Sequence, residues 1–193
     1  MNQDDADELL ARAKAGTLTS AQLEDVEHAL IRGEGDAGTY TLLHIVGLAG
    51  APSRHEPLVA GYLEDLRDPM LTGLALRILT NWWDLMPTYR HAVLHFLAGD
   101  QRDEEEDVLG QAVSVTGEYL RGHFDRELAQ ALLACSPQDE TEAESRIIAM
   151  ARAVGMSWQE LPSVRVGVDL DGAWAKDVVR RFAERLHEAG ATP

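Results

Sequence analysis

The sequence predicts an all-α protein of about eight to ten helices, and three observations support the prediction. Apolar residues recur at three- and four-residue spacing through almost the whole chain, and no segment alternates apolar and polar residues for long. Glycine, proline and capping residues divide the periodic segments into pieces of helical length. The later pieces repeat with a nearly constant period, which is typical of stacked helix pairs.

The boundaries of the helices follow from local signals. The first predicted helix covers residues 5–15 and ends before a glycine. The second begins at Thr19 or Ser20 and ends at Arg32, and Gln22 stands three residues after Thr19, the spacing of a capping box. The remaining predicted helices, each followed by a short loop, cover residues 38–49, 55–65, 69–83, 88–98, 104–121, 125–135, 140–154 and 172–189.

Four of the predicted helices align on an internal repeat. Superposing Leu43, Leu76, Val113 and Ile148 gives offsets of 33, 37 and 35 residues, within the range of helical repeat proteins. The clearest unit, residues 68–79, opens with an aspartate cap and a proline, and one apolar stripe is formed by Leu71, Ala75, Leu76 and Leu79.

This unit resembles the first helix of a HEAT repeat. The resemblance rests on Asp68, Pro69 and the alanine–leucine pair that follows, and looser matches extend it over about residues 36–155. The other units lack the proline, and Thr72 stands where such repeats often carry an arginine.

The resemblance implies one domain, residues 1–193, built as an α-solenoid of antiparallel helix pairs. The domain comprises N-terminal helices, the repeats, and a loop with a C-terminal capping helix, over residues 1–35, 36–155 and 156–193. Val164, Val166 and Val168 alternate with other residues within that loop and predict at most one short extended segment.

The charge and the apolar content limit the classes of partner. Against 17 basic side chains the chain has 33 acidic ones, and the formal net charge of −16 repels phosphate backbones and attracts basic proteins. A basic protein is therefore the expected partner and nucleic acid is not; the alternative interpretation is that the acidity serves solubility alone. No segment approaches the roughly 20 apolar residues of a membrane span, and the acidic N-terminus has no apolar signal core, so we expect a cytoplasmic protein without a membrane partner.

Two glycine-containing patterns suggest ligand sites, but their context argues against both. Residues 33–38 match GxGxxG, yet a dinucleotide-binding loop follows a strand, and a predicted helix precedes this one. We expect a loop in which glycine ends one helix and begins the next. Residues 169–172 resemble part of a calcium loop but lack its third acidic ligand and closing glutamate, so they are predicted to cap a helix.

Candidate catalytic and metal-binding side chains are sparse. His91 and His95 share one face of a predicted helix, but the residues between them lack the glutamate of a metalloprotease helix, and no third ligand is evident. Cys135 and His123 flank one helix about three turns apart, too far to share a hydrogen bond as nucleophile and base. The sequence therefore predicts no enzyme, no cofactor and no metal ion.

Acidic and aromatic side chains are the candidate protein-binding residues. Five consecutive carboxylates, residues 103–107, stand at the start of a predicted helix, where the helix dipole accounts for one or two of them. Trp82 and Trp83 point about 100° apart on a helix, so one is predicted to be exposed unless both fill the gap between repeats. The predicted partner surface contains Trp82, Trp83, Asp84, Tyr89, Asp103, Glu104, Glu105, Glu106, Asp107, Glu118 and Tyr119.

These observations favour a non-enzymatic protein-binding module. Small acidic helical-repeat proteins that look like this one occur among immunity-type inhibitors, so the resemblance implies an inhibitor that masks a basic toxin domain. The alternative is a scaffold or regulatory adaptor that binds a peptide along a concave face. An enzyme on a HEAT-like array, such as an alkylpurine DNA glycosylase or a bilin lyase, is a third class, and a glycosylase would need a basic groove that this charge argues against.

Overall fold

The chain folds into α-helices. A computed structural model describes residues 1–33, 38–64, 68–99, 107–136, 139–157, 159–161 and 168–190, with the backbone alone at 107 and 190. These ranges contain ten α-helices and no strand, so the predicted all-α class is confirmed. Val168 is in no strand, and Val164 and Val166 of the predicted extended segment lie outside the described residues. None of the helices in these ranges is both long and apolar enough to cross a membrane.

The helices are α1 (Gln3–Lys14), α2 (Ser20–Arg32), α3 (Thr39–Ala49), α4 (Pro52–Ala60), α5 (Pro69–Arg77), α6 (Met86–Leu97), α7 (Asp107–Gly122), α8 (Arg126–Ala134), α9 (Glu140–Ala153) and α10 (Ala173–Gly190). A 3-10 turn, Gly61–Leu63, follows α4, and a π-helical segment, Ile78–Trp82, continues α5 and is called the π segment below.

Side-chain caps begin two helices where the sequence predicts them. In the capping box of α2, the backbone N–H of Gln22 donates to Thr19 Oγ1 at 3.3 Å, and the backbone N–H of Thr19 donates to Gln22 Oε1 at 3.0 Å. Ahead of Pro69, Asp68 Oδ1 accepts from the Leu71 amide at 3.2 Å. Each cap satisfies an amide that has no partner inside the helix, and such caps stabilise by about 1 kcal/mol.

The helix boundaries differ from the prediction at α4 and α5. α4 begins at Pro52, three residues before the predicted start, because proline suits the first helical turn and His55 Nδ1 accepts from the Ala51 amide at 2.9 Å. α5 changes to π-helical hydrogen bonding at Ile78, and the Trp83 amide donates to the Ile78 carbonyl at 3.0 Å. Such a change of register places the side chains after it differently from a regular α-helix.

Contacts divide the chain into two compact units, an N-terminal unit (Met1–Leu85) and a C-terminal unit (Met86–Pro193). Within the N-terminal unit α3 is central, since it packs against α1, α2, α4, α5 and the π segment. Most of its apolar side chains are buried. Gly47 lets the π segment lie close, because a Cβ there would be 2.6 Å from the side chain of Ile78.

Within the C-terminal unit α7 packs against α6, α8 and α9, and α10 packs against α8 and α9. Arg90 joins α6 to α8, since its Nε donates to Asp125 Oδ2 and its Nη2 to Glu127 Oε2, both at 2.6 Å. The hydrogen bond from Arg90 lowers the pKa of Asp125, which also caps α8. α7 and α9 approach closely at Gly117, where a Cβ would lie 2.7 Å from backbone atoms of Ala149.

Candidate protein-binding surface

Helix α3 reaches solvent through a line of uncharged side chains. The helix contains no Asp, Glu, Lys or Arg, although these residues make up 26% of the chain. The larger side chains that reach solvent are Tyr40, His44 and Leu48, and their four-residue spacing puts them on one face. Tyr40 is 40% exposed and Leu48 is 39% exposed. Because the solvated face of a helix normally carries charged residues, this face is a candidate contact surface.

Trp82 extends this line from α3 to the π segment. The ring centroids of Tyr40 and His44 are 6.1 Å apart in an edge-on arrangement, and those of His44 and Trp82 are 5.2 Å apart. Trp82 is half-buried. We refer to Tyr40, His44, Leu48 and Trp82 as the α3 surface. Rings held in place on one side and open on the other offer contact area at a low cost in side-chain entropy.

Trp83 is bonded inside the N-terminal unit. Its indole Nε1 donates to the Gly47 carbonyl at 3.0 Å, and the residue is half-buried. Both tryptophans therefore lie half-buried against α3, in keeping with the interpretation that they fill the gap between neighbouring helices. Asp84 follows with φ 55°, a left-handed conformation that ends the helix, and the Leu85 amide donates to the Leu79 carbonyl at 2.9 Å.

Two cations flank the α3 surface. Lys14 at the end of α1 and Arg77 in α5 are exposed, and neither forms an ion pair with any residue that the structure describes. Burial and then the charges of Lys14 and Arg77 lower the pKa of His44 below its ordinary value of 6.5. The His44 imidazole is therefore mostly neutral at neutral pH.

The lowered pKa of His44 predicts a loss of stability in mild acid. The unfolded chain binds a proton at His44 more tightly than the folded chain does. The contribution of neutral His44 to the free energy of unfolding is therefore fully present above about pH 6.5, and it is lost as the pH falls through the pKa of His44 in the folded chain. We expect the unfolding free energy of His44→Gln, measured with urea, to fall less than that of the unsubstituted protein between about pH 7.5 and pH 5.5. His91→Gln, at an exposed position on α6, is the matched control. Equal losses in all three proteins would contradict the assignment.

Three other predicted partner residues lie in the C-terminal unit. Tyr89 is half-buried on α6, and Tyr119 stacks on His123 with ring centroids 4.9 Å apart. Glu118 accepts from Arg152 Nε at 2.8 Å and Nη2 at 3.3 Å, so its carboxylate holds α7 to α9. The C-terminal unit thus contains Tyr89, Glu118 and Tyr119, and the N-terminal unit contains Trp82, Trp83 and Asp84.

The predicted acidic run is described only at its end. Asp103, Glu104, Glu105 and Glu106 lie outside the described residues. Asp107 is the first residue of α7, and its side chain is outside the description as well. The role of this run in binding stays a prediction.

Among the patterns that suggested cofactor or metal chemistry, the glycines lie at helix ends and the two histidines are exposed. Gly33 ends α2 with φ 58° and Gly38 precedes α3, as the sequence predicts. His91 and His95 are exposed on α6, and no group of three or more potential metal ligands occurs in the described ranges. Cys135 is buried beside a cavity of about 390 Å³ where α6 and α8 end and α7 begins, lined mainly by leucine and alanine.

Sequence reasoning missed the α3 surface. Tyr40, His44 and Leu48 fit a helix with an ordinary apolar face, and nothing local marks them as exposed. One signal could have found them: residues 37–53 contain no acidic residue, lysine or arginine in a chain that is 26% charged. A helix of this composition is expected to be buried on all sides, either by its own chain or by a partner.

Comparisons of the chain with protein-family models, with curated proteins and with solved structures found no match.

Proposed function

We propose that this chain is a non-enzymatic protein-binding module that contacts its partner through the α3 surface. The observation that carries the proposal is the uncharged exposed line on α3 and its continuation in Trp82. An exposed apolar and aromatic patch costs solubility and is kept where another molecule covers it. Aromatic anchors that are already held by neighbouring rings lose little freedom on binding, so they contribute strongly to affinity.

The architecture that we propose is a HEAT-like α-solenoid of antiparallel helix pairs. Hydrogen bonds between side chains and groups 34 to 36 residues away support it, because these separations match the offsets of the sequence repeat. Gly47 and Gly117, at which two helices approach closely, each follow an aligned repeat position by four residues. The hydrogen-bonded pairs are Trp83 with Gly47, Arg90 with Asp125, and Arg152 with Glu118.

For the partner we propose a protein that is basic overall, and within that class a toxin domain that the chain masks as an immunity-type inhibitor. The net charge of −16 supports this choice, since it accelerates encounter with a basic protein. A scaffold or regulatory adaptor that binds a peptide along a concave face is the second candidate, and the uncharged exposed line along the 11 residues of α3 favours it.

Affinity capture tests the binding function. The tagged chain is expected to retain a discrete protein from its native host, and the double substitution Tyr40→Ser with Leu48→Ser is expected to abolish that retention. Both side chains are well exposed, so the fold should survive, which circular dichroism checks. Substituting exposed His28 on α2 is the control. Equal retention by the double variant would contradict the assignment of the α3 surface.

The acidic run predicts a salt-dependent association rate with a basic partner. Attraction between exposed charges is screened as the Debye length falls from about 10 Å at 0.1 M salt to about 3 Å at 1 M. We expect neutralisation of Glu104, Glu105 and Glu106 to glutamine to slow association and to weaken its salt dependence, with little change in dissociation. Stopped-flow or surface-based kinetics across a salt series measures the association rate and the dissociation rate. An unchanged association rate would mean that the run has no part in encounter.

A further inference from the structure

Two exposed cations lie near His44 in the α3 surface, although the chain as a whole is acidic. α3 carries no charged residue, and Arg77 is the one charged residue of α5 and the π segment together. From α1, the exposed Lys14 lies near enough to act on His44. The other basic residue in the last turn of α1, Arg12, is paired with Glu8 at 2.6 Å. A chain of net charge −16 thus presents an aromatic surface flanked by two unpaired cations, in the part of the chain that the structure describes.

We propose that the α3 surface binds an acidic segment of a partner protein that carries an aromatic or aliphatic side chain. The apolar side chain of the segment contacts Tyr40, Leu48 and Trp82, and its carboxylates pair with Lys14 and Arg77. This inference rests on the proposed binding function and adds to it the chemistry of the bound segment. A partner that is basic overall and presents one acidic segment satisfies both proposals.

Charge complementarity selects this occupant over the others that an aromatic and cationic surface suits. A second copy of the chain would bring another charge of −16 to the contact, which opposes self-association. Nucleic acid carries one charge per about 1.7 Å of duplex and an anionic membrane is a continuous charged surface, so the acidic remainder of the chain repels both. A short segment with a few carboxylates feels the local cations most, because charges farther than about 10 Å away are screened at 0.1 M salt.

The neutral state of His44 suits the same occupant. Since the pKa of His44 is lowered, its imidazole lies edge-on to Tyr40 and tilted against Trp82 without adding a charge that would have to be desolvated under a bound apolar side chain. Lys14 and Arg77 are both exposed, so ion pairs with them stay partly solvated. Such pairs contribute roughly 0.2–1 kcal/mol each and act mainly on selectivity.

Peptide binding to the full chain tests the inference. Three labelled peptides share a central tryptophan and leucine and carry flanks of glutamate, glutamine or lysine; fluorescence anisotropy measures their affinities. The net charge alone favours the lysine peptide, whereas the α3 surface predicts that the glutamate peptide binds most tightly. The double substitution Lys14→Gln with Arg77→Gln is expected to weaken the affinity for the glutamate peptide roughly three- to tenfold, the effect of losing two surface ion pairs. Arg121→Gln with Arg126→Gln, exposed in the C-terminal unit, makes the same change in net charge and is expected to have little effect.

The outcomes separate this inference from the proposed binding function. A preference for the lysine peptide, equal affinities, or no binding of any peptide would overturn the inference. Partner capture could be lost on substituting Tyr40 and Leu48 but unaffected by substituting Lys14 and Arg77. In that case the proposed binding function stands, and the inference that the bound segment is acidic is wrong. If phosphatidylserine vesicles or an oligothymidylate bind in a way that depends on Lys14 and Arg77, the inferred acidic segment is wrong, and the ligand of the α3 surface is a membrane or a nucleic acid instead.

Discussion

Substituting Gly117 with alanine is expected to destabilise the C-terminal unit by about 3 kcal/mol, in spite of the higher helix propensity of alanine. A Cβ at this position would lie 2.7 Å from the Cα and the carbonyl oxygen of Ala149. These are backbone atoms of α9, so relief of the clash requires the two helices to move apart and opens the apolar contact between them. Urea unfolding followed by circular dichroism measures the effect.

Gly110→Ala is the matched control, because Gly110 stands in the same helix and a Cβ there would meet nothing within 4 Å. With no clash to oppose it, alanine should leave stability unchanged or raise it by about 0.5–1 kcal/mol. If Gly117→Ala is as stable as Gly110→Ala, the close approach of α7 and α9 is wrong.

The second large effect is expected at the ion pair between Glu118 and Arg152. The Arg152 side chain is 4% exposed, and besides Glu118 it donates from Nη1 to the Met156 carbonyl at 2.9 Å. Glu118→Ala removes the carboxylate that Glu118 supplies to a buried guanidinium, and the loss of such a counter-charge costs about 3 kcal/mol or more at a fully buried site. Glu118 is 35% exposed, so water replaces part of the lost interaction and we expect about 2 kcal/mol.

The reverse substitution should cost less. In Arg152→Met the Glu118 carboxylate can turn to solvent, and methionine keeps much of the buried volume. The double variant Glu118→Ala with Arg152→Met removes both charges, and we expect it to be at least as stable as Glu118→Ala alone. A double-mutant cycle from urea unfolding measures the coupling. Additive effects of the two single substitutions would mean that the pair is not formed.

Local signals predicted the all-α class and most of the helix boundaries. Thr19 with Gln22, and Asp68 with Pro69, act through groups within three residues, so their roles follow from sequence spacing. The start of α4 was missed because its N-cap is Ala51, whose amide is bonded by His55 from inside the helix, an arrangement that no common capping residue marks. The π segment was missed because no residue spacing marks the change of hydrogen bonding at Ile78.

The candidate surface was harder to predict because exposure depends on contacts between distant elements. Whether Tyr40 and Leu48 are buried is decided by which faces of α3 its neighbours cover, and the spacing of apolar residues does not contain that information. Glu118 illustrates the same limit. Its charge suggested a partner surface, whereas its carboxylate is bonded to a residue 34 positions away.

Site-specific photo-crosslinking in the native host tests the central claim, that the α3 surface contacts a protein partner. A photoreactive phenylalanine analogue replaces Tyr40 in one variant and exposed His28 in another. We expect a discrete crosslinked protein from position 40 that disappears when Leu48→Glu is added, and none from position 28. The absence of a crosslink at position 40, or the same products from both positions, would contradict it.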